Sequence, residues 1–242
     1  MASFHSRTFR LLGAQPPISD AAFSEVERAE QRLGRRLPGS VREWYAFGGA
    51  LRILAEHSNN DPPIPVDKFA ISEWKSLQLL PVRVESQGVC MWSIVLDGSD
   101  DPPVYVDVDS NGTDWQLLSP TFSAYVYACV WDYQVVLGQP ALVQAQNKSV
   151  TEGTIESLCS TFNEEPRTFG WPGSTQYRFA GKAHGILIWS NKNQADWFIG
   201  ATDEWPLEPV LSAIWTLDDV GTSFYDCSKI GKRVLARIWA KA

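Results

Sequence analysis

Residues 85–133, ESQGVCMWSIVLDGSDDPPVYVDVDSNGTDWQLLSPTFSAYVYACVWDY, limit what this chain can fold into more than any other stretch. Val89, Met91 and the apolar run from Trp92 to Leu96 stop at Asp97-Gly98, a turn pair in which glycine reaches positive φ without steric penalty. Val104, Tyr105, Val106 and Val108 follow Asp100-Asp101-Pro102-Pro103, and Ser110-Asn111-Gly112 ends that run with an Asn-Gly pair suited to a tight hairpin. A third strand is expected over Trp115 to Leu118. Ser119-Pro120 then reads as a cap and a first helical residue, after which Phe122, Tyr125, Val126, Cys129, Val130 and Tyr133 recur at spacings of three and four. The pattern predicts antiparallel strands followed by a helix that buries one face on their sheet.

Two amphipathic helices are expected upstream, after a short mobile start. In the first, Ser19 is the cap, Ile18 a staple, Ala22, Phe23, Val26, Ala29 and Leu33 the apolar face, and Gly34 the stop. The second begins at Leu37-Pro38, turns Val41, Trp44 and Tyr45 inward and stops at Gly48-Gly49. Residues 50–65 read as a surface loop, least structured at Ser58-Asn59-Asn60-Asp61-Pro62-Pro63. Trp74, Leu77, Leu79, Leu80, Val82 and Val84 lead into the sheet.

The second half reads as a smaller unit. Residues 138–150, GQPALVQAQNKSV, look like a connector, and a helix is expected from Thr151 to Phe162. Strands follow at Tyr177 to Ala180, Ile186 to Ser190 and Trp197 to Ala201, then a helix from Leu207 to Leu217, a short segment from Ser223 to Cys227 and a last helix from Lys229 to Trp239. The expected architecture is therefore α+β: a mostly antiparallel sheet packed by helices over 1–137, a connector over 138–150, and a C-terminal α+β unit over 151–242.

At 242 residues and 44% hydrophobic content the chain can bury a real core, and most of its eleven tryptophans are expected in it. No run approaches the roughly 18 apolar residues of a membrane span, and the first residues lack a secretory pattern, so a cytoplasmic location is expected. Cys90, Cys129, Cys159 and Cys227 lie far apart in or beside apolar runs, which predicts buried free thiols. Charge is uneven. Residues 61–140 hold three Lys/Arg against eleven Asp/Glu, a net of −8, while the flanks together sum to +1. Such a field attracts basic partners and disfavours nucleic acid, whose affinity depends on Lys/Arg neutralising phosphates.

Taken together, LGRRLPGSVREWYAFGGA at 33–50, VRVESQGVCMWSIVLDGSDDPPVYVD at 82–107, the Trp115 strand and SPTFSAYVYACVWDY resemble the SUKH superfamily, the Smi/Knr-like proteins. The resemblance covers roughly residues 18–133. It implies helices packed on a mostly antiparallel sheet, and a function as a non-catalytic bacterial immunity protein that binds and neutralises a cognate toxin domain, with an intracellular regulatory scaffold or small-ligand-binding module as the alternative. It carries no site, because the matching residues are of kinds that make turns and cores.

Parts for catalysis are sparse. His5, His57 and His184 have no metal-ligand spacing, no Gly-x-Ser-x-Gly elbow is present, and neither a metal nor a cofactor is expected. The aspartates at 97, 100, 101, 107, 109 and 114 invite a calcium reading, set aside for want of an Asp-x-Asp-x-Asp-Gly order and a terminal glutamate, and solvated strand ends are expected instead. On charge alone, Asp100, Asp101, Asp107, Asp109 and Asp114 are the candidate partner-binding residues, with a protein partner expected and no nucleic acid or membrane.

Overall fold

The computed structural model describes residues 3–58, 61–109 and 111–241. Asn59, Asn60 and Ser110, within the expected loop and hairpin turn, lie outside the described residues. The chain is α+β and divides into two compact units, Met1–Trp131 with Phe169–Trp171, and Asp132–Thr168 with Pro172–Ala242.

The first unit contains α1 (Ser6–Leu12), α2 (Asp20–Leu33), α3 (Gly39–Ala46), α4 (Ala50–Glu56) and α5 (Phe122–Trp131). Between α4 and α5 lie β1 (Ser72–Trp74), β2 (Leu77–Val84), β3 (Met91–Val95), β4 (Val104–Asp107) and β5 (Trp115–Ser119), paired in chain order and antiparallel throughout. Ser19 caps α2 by accepting the Ala22 amide, and Gly34 ends it in the left-handed region. Ile18 is exposed and bridges Phe47, so it does not staple the helix. Val26 and Ala29 of α2, Val41 and Trp44 of α3, and Phe122, Val126 and Val130 of α5 close over Leu80, Val82, Ile94, Val104 and Val106.

Two upstream expectations are corrected. The start of the chain is a helix: Phe9 packs edge-on against Phe47 and parallel to Trp44, and the Glu43 carboxylate accepts the Phe4 and His5 amides that the helix end leaves unpaired. The expected loop from residue 50 begins with α4, whose Ala50, Ile53 and Leu54 are buried. The fifth helix also starts later than expected. Ser119 is the last residue of β5, and Thr121 takes the cap by accepting the Ala124 amide.

The second unit opens with a π-helical turn, Asp132–Leu137, followed by β6 (Ala141–Asn147), α6 (Glu152–Thr161), β7 (Asn163–Phe169), β8 (Thr175–Ala180), β9 (His184–Ser190), β10 (Ala195–Ala201), α7 (Glu204–Ile214), β11 (Phe224–Cys227) and α8 (Lys229–Trp239). Its six-stranded sheet runs β11-β6-β10-β9-β8-β7. The expected connector is thus a strand inside the sheet, pairing with β10 and β11. Ala141, Val143 and Ala145 alternate with Leu142, Gln144 and Gln146, and their small side chains leave room for a covering helix: a Cβ added to Gly231 of α8 would lie 2.7 Å from the Leu142 carbonyl. Ile155 and Leu158, Leu207 and Leu211, and Val234 and Leu235 cover one face of the sheet. Thr151, Asp203 and Ser228 cap the three helices.

All four cysteines are free, but only Cys90 is buried, and Cys159 is exposed. Trp44, Trp92, Trp115, Trp131 and Trp197 are buried, whereas Trp205 and Trp239 are exposed.

Candidate interaction surface

Strand register sorts the five-stranded sheet into a helix-covered face and an outer face. Trp74 pairs with Leu77, Leu79 with Val95, Pro81 with Ser93, Met91 with Asp107, and Asp107 with Trp115, so these residues share the outer side. Leu79, Val95 and Trp115 are buried there, with Trp74, Leu77, Met91 and Tyr105 half-exposed against them and Leu117 exposed. The Trp74 indole donates to the Thr113 carbonyl at 3.3 Å. That bond joins β1 to the turn entering β5. The turn between β1 and β2 holds Lys75 and Ser76 at φ of 45° and 69°, and the Lys75 ammonium lies 4.4 Å from the Trp74 ring centre.

The five candidate aspartates fall at opposite ends of β4. Asp100 and Asp101 precede the strand and stabilise helix ends. The Asp100 carbonyl accepts the Ser40 amide in the first turn of α3, and the Asp101 carboxylate accepts the Ser123 amide at 2.9 Å in the first turn of α5. Asp107, Asp109 and Asp114 belong to the turn between β4 and β5. Asp107 is fully buried and accepts the Gly112 amide at 2.7 Å. Asp109 accepts the Thr113 hydroxyl and the Asn111 amide, and Asp114 accepts the Gln116 side-chain amide. Burial, and then its hydrogen bond to Asp109, raises the Asp107 carboxyl above the usual range. The Thr113 hydroxyl and then Asp107 hold Asp109 down at about 2. Asp109 and Asp114 are exposed, and Asp114 shares the side of Gln116, which pairs with core-facing Val106, rather than that of Trp115. No feature of charge counting pointed to Trp74, Tyr105 or Leu117, although the alternation along β4 and β5 placed Tyr105 and Leu117 opposite the core-facing residues.

Comparison of the chain with known family models, curated proteins and solved structures returns no match.

Other polar groups are used internally. A β-bulge between Pro81 and Arg83 turns Arg83 to the helix-covered side, where it lies over the Trp92 ring and reaches Tyr125 and Asp61. His5 is fully buried, with Nε2 2.9 Å from the Ser40 carbonyl, and His184 stands edge-on to Phe162; burial lowers the pKa of both. Burial pushes the Cys90 thiol up to about 12 and also raises Cys159 and Cys227, which disfavours their thiolates. Among the described residues no three His, Cys, Asp or Glu side chains converge as a metal cluster, and no helix is long and apolar enough to cross a membrane. The second unit has an open cleft of about 410 Å³ beneath α6, bordered by Thr151, Ile155, Glu156, Cys159, Arg167 and Tyr177.

Proposed function

We propose that this chain is a non-catalytic, cytoplasmic immunity protein of the SUKH type, which neutralises a cognate bacterial toxin domain by covering its active surface. The observation that carries this reading is the outer face of the five-stranded sheet. Half-exposed Trp74, Met91 and Tyr105 and exposed Leu117 form an apolar centre, and exposed Asp109, in the turn that follows β4, adds negative charge beside it. An aromatic centre inside a polar rim is the anatomy of a protein interface, and a standard one covers about 1,600 Å² in total. The net charge of −8 over residues 61–140 favours a basic partner, and a nuclease is the toxin class whose phosphate-binding surface such carboxylates would match. The test is co-purification of the tagged chain from its native cells through a salt wash, followed by mass spectrometry. One stoichiometric partner with a basic toxin-like domain, lost when Leu117 is replaced by Arg, supports the proposal. No partner, from cells shown to produce a neighbouring toxin, overturns it.

The cleft beneath α6 favours the alternative of a small-ligand-binding module. It combines an apolar wall at Ile155 with Arg167, which stacks over Tyr177 at 4.8 Å, and Arg167 also pairs with Glu164. A ligand retained after purification, and lost on Arg167→Ala, would turn the assignment that way.

A further inference from the structure

The two sheets end in β1 and β5 and in β11 and β7, and all of these edges but β5 carry features that block further pairing. β1 is three residues long and holds Glu73 close to Lys75. β7 carries Glu164, Glu165, Pro166 and Arg167, and β11 is bulged between Phe224 and Asp226. β5, WQLLS over Trp115–Ser119, has neither charge nor proline, and its Gln116 and Leu117 are exposed. The ladder fixes which of its backbone groups are open. The Val108 amide donates to the Asp114 carbonyl at 3.1 Å, so these two form a hydrogen-bonded antiparallel pair. Such pairs alternate with non-hydrogen-bonded ones, so Val106 exchanges bonds with Gln116, while Asp107 with Trp115 and Tyr105 with Leu117 do not. The neighbouring ladder agrees: the Val95 amide donates to the Pro103 carbonyl, which turns the backbone of Tyr105 and Asp107 toward β3. The amides and carbonyls of Trp115 and Leu117 therefore point away from β4, and none has a hydrogen-bond partner among the described residues.

A row of open donors and acceptors is matched by another extended backbone, and this one matches its own copy. Turned about a two-fold axis at Gln116, two β5 strands run antiparallel, with Trp115 of each copy opposite Leu117 of the other. Both become hydrogen-bonded pairs, and every open group of Trp115 and Leu117 on either edge is satisfied. Neighbouring registers fail. An axis at Trp115 sets Leu117 against Thr113, whose carbonyl already accepts the Trp74 indole, and an axis at Leu117 sets Trp115 against Ser119, which already pairs with Val104. Charge permits the contact, because Asp114 falls opposite Leu118 and no carboxylate of the strand pair faces another. We infer that the chain forms a symmetric dimer through β5, which joins the two five-stranded sheets edge to edge and covers Leu117, 41% exposed in the single chain. Trp115 and Leu117 share the outer face, so that face continues across the axis into the second copy. A short edge makes a small interface, and the dissociation constant should be weaker than about 1 µM.

The experiment is sedimentation equilibrium of the purified full chain from roughly 1 to 500 µM, a range that spans weak association. A reversible monomer–dimer equilibrium is expected, with the Trp115 and Leu117 amides gaining protection from hydrogen exchange as concentration rises. Leu117→Pro removes an amide that no native strand uses, so it should keep the near-ultraviolet circular dichroism while weakening the dimer at least about tenfold. Should that variant disturb the fold, Gln116→Lys, at an exposed position, sets two ammonium groups across the axis and should weaken the dimer as well. Register is tested by Gln116→Cys in a Cys159→Ser background, since a non-hydrogen-bonded pair holds its Cα atoms about 4.5 Å apart, within reach of a disulfide. Air oxidation should then give a covalent dimer. A monomer at every concentration, a dimer unaffected by both Leu117→Pro and Gln116→Lys, or no cross-link from Gln116→Cys overturns the proposal. All of this is read on the purified chain, so the dimer does not rest on the immunity reading and the two fail separately.

Discussion

Arg83 in the first unit and Arg178 in the second are both nearly fully buried, at 5% and 3% exposure, but their partners differ in kind. Arg178 meets Asp132 through two parallel bonds of 2.6 and 2.8 Å, and its Nη1 donates to Thr168 Oγ1 and the Pro166 carbonyl. Among the described residues Arg83 has only long contacts: the Asp61 carbonyl at 3.4 Å, the Asp61 carboxylate at 3.5 Å, Tyr125 and Cys129 at 3.3 Å each, and the Trp92 ring beneath. A buried guanidinium can therefore be kept by one well-aligned carboxylate or by many weak acceptors and a ring. The first arrangement concentrates the energetic risk in one residue, and the second spreads it.

The largest expected effect follows directly. Asp132→Ala leaves Arg178 buried with its charge uncompensated and should cost about 3–5 kcal/mol in denaturant unfolding, whereas combining it with Arg178→Met should recover most of the loss. If Asp132→Ala cost under about 1 kcal/mol, water would be reaching Arg178 and the contrast with Arg83 would disappear.

His5 extends the dispersed pattern of the first unit. It is fully buried beside Trp44 and Phe122, with one hydrogen bond to the Ser40 carbonyl and no partner for Nδ1 among the described residues. Burial lowers its folded-state pKa below the ordinary 6.5, with Ser40 and Glu43 opposing. The unfolded chain then binds more protons between the two values. The stability tied to a neutral His5 is present above about pH 6.5 and is lost as pH falls toward the folded value, by at most about 1.4 kcal/mol per pH unit. His5→Phe should flatten the unfolding free energy between about pH 6.5 and 5; an unchanged slope would mean that α1 detaches before His5 protonates.

The parts that could be read from sequence were those whose signals were local. Asp97-Gly98 and Asn111-Gly112 bracket β4, and Gly98 and Gly112 have the positive φ that such turns need. Ser19 and Gly34 bound α2 as expected. Residues 138–150 resemble a linker because of their glutamine and proline, whereas the alternation of Ala141, Val143 and Ala145 is the strand signal. Strand β7, NEEPRTF, shows no apolar alternation and carries Pro166, which an edge strand tolerates. At the candidate surface, composition could locate an acidic field but not its division. Asp101 and Asp107 are drawn inward by Ser123 and Gly112, contacts that depend on helix docking and turn closure. Asp101 therefore has a stability test of its own. Asp101→Ala removes a carboxylate from the first turn of α5 and should cost about 1 kcal/mol in the isolated chain. A loss confined to partner binding, with the unfolding free energy unchanged, would return Asp101 to the interface.

Asp61 should give the smallest change, and it is the closest counterpart to Asp132. Its carboxyl pKa is raised, mainly by burial, with the Arg83 charge and the Ser86 amide opposing. The ionised group is thus less favourable in the folded chain than in water, despite the arginine beside it. A raised carboxyl pKa means that the folded state holds its proton more tightly than the unfolded state. Stability from this group accordingly falls as pH rises from the ordinary carboxyl range through the folded value. Asp61→Asn keeps an oxygen for the Ser86 amide, which now donates to Oδ1 at 3.1 Å, and gives up only the long contact to Arg83. The variant should unfold within about 1 kcal/mol of wild type at pH 7, and the difference should move in its favour between about pH 3 and 7. Denaturant curves at both pH values measure this. A loss at pH 7 as large as that of Asp132→Ala would mean that Arg83, too, depends on a single carboxylate, and that the bulge in β2 serves an ion pair rather than a dispersed shell.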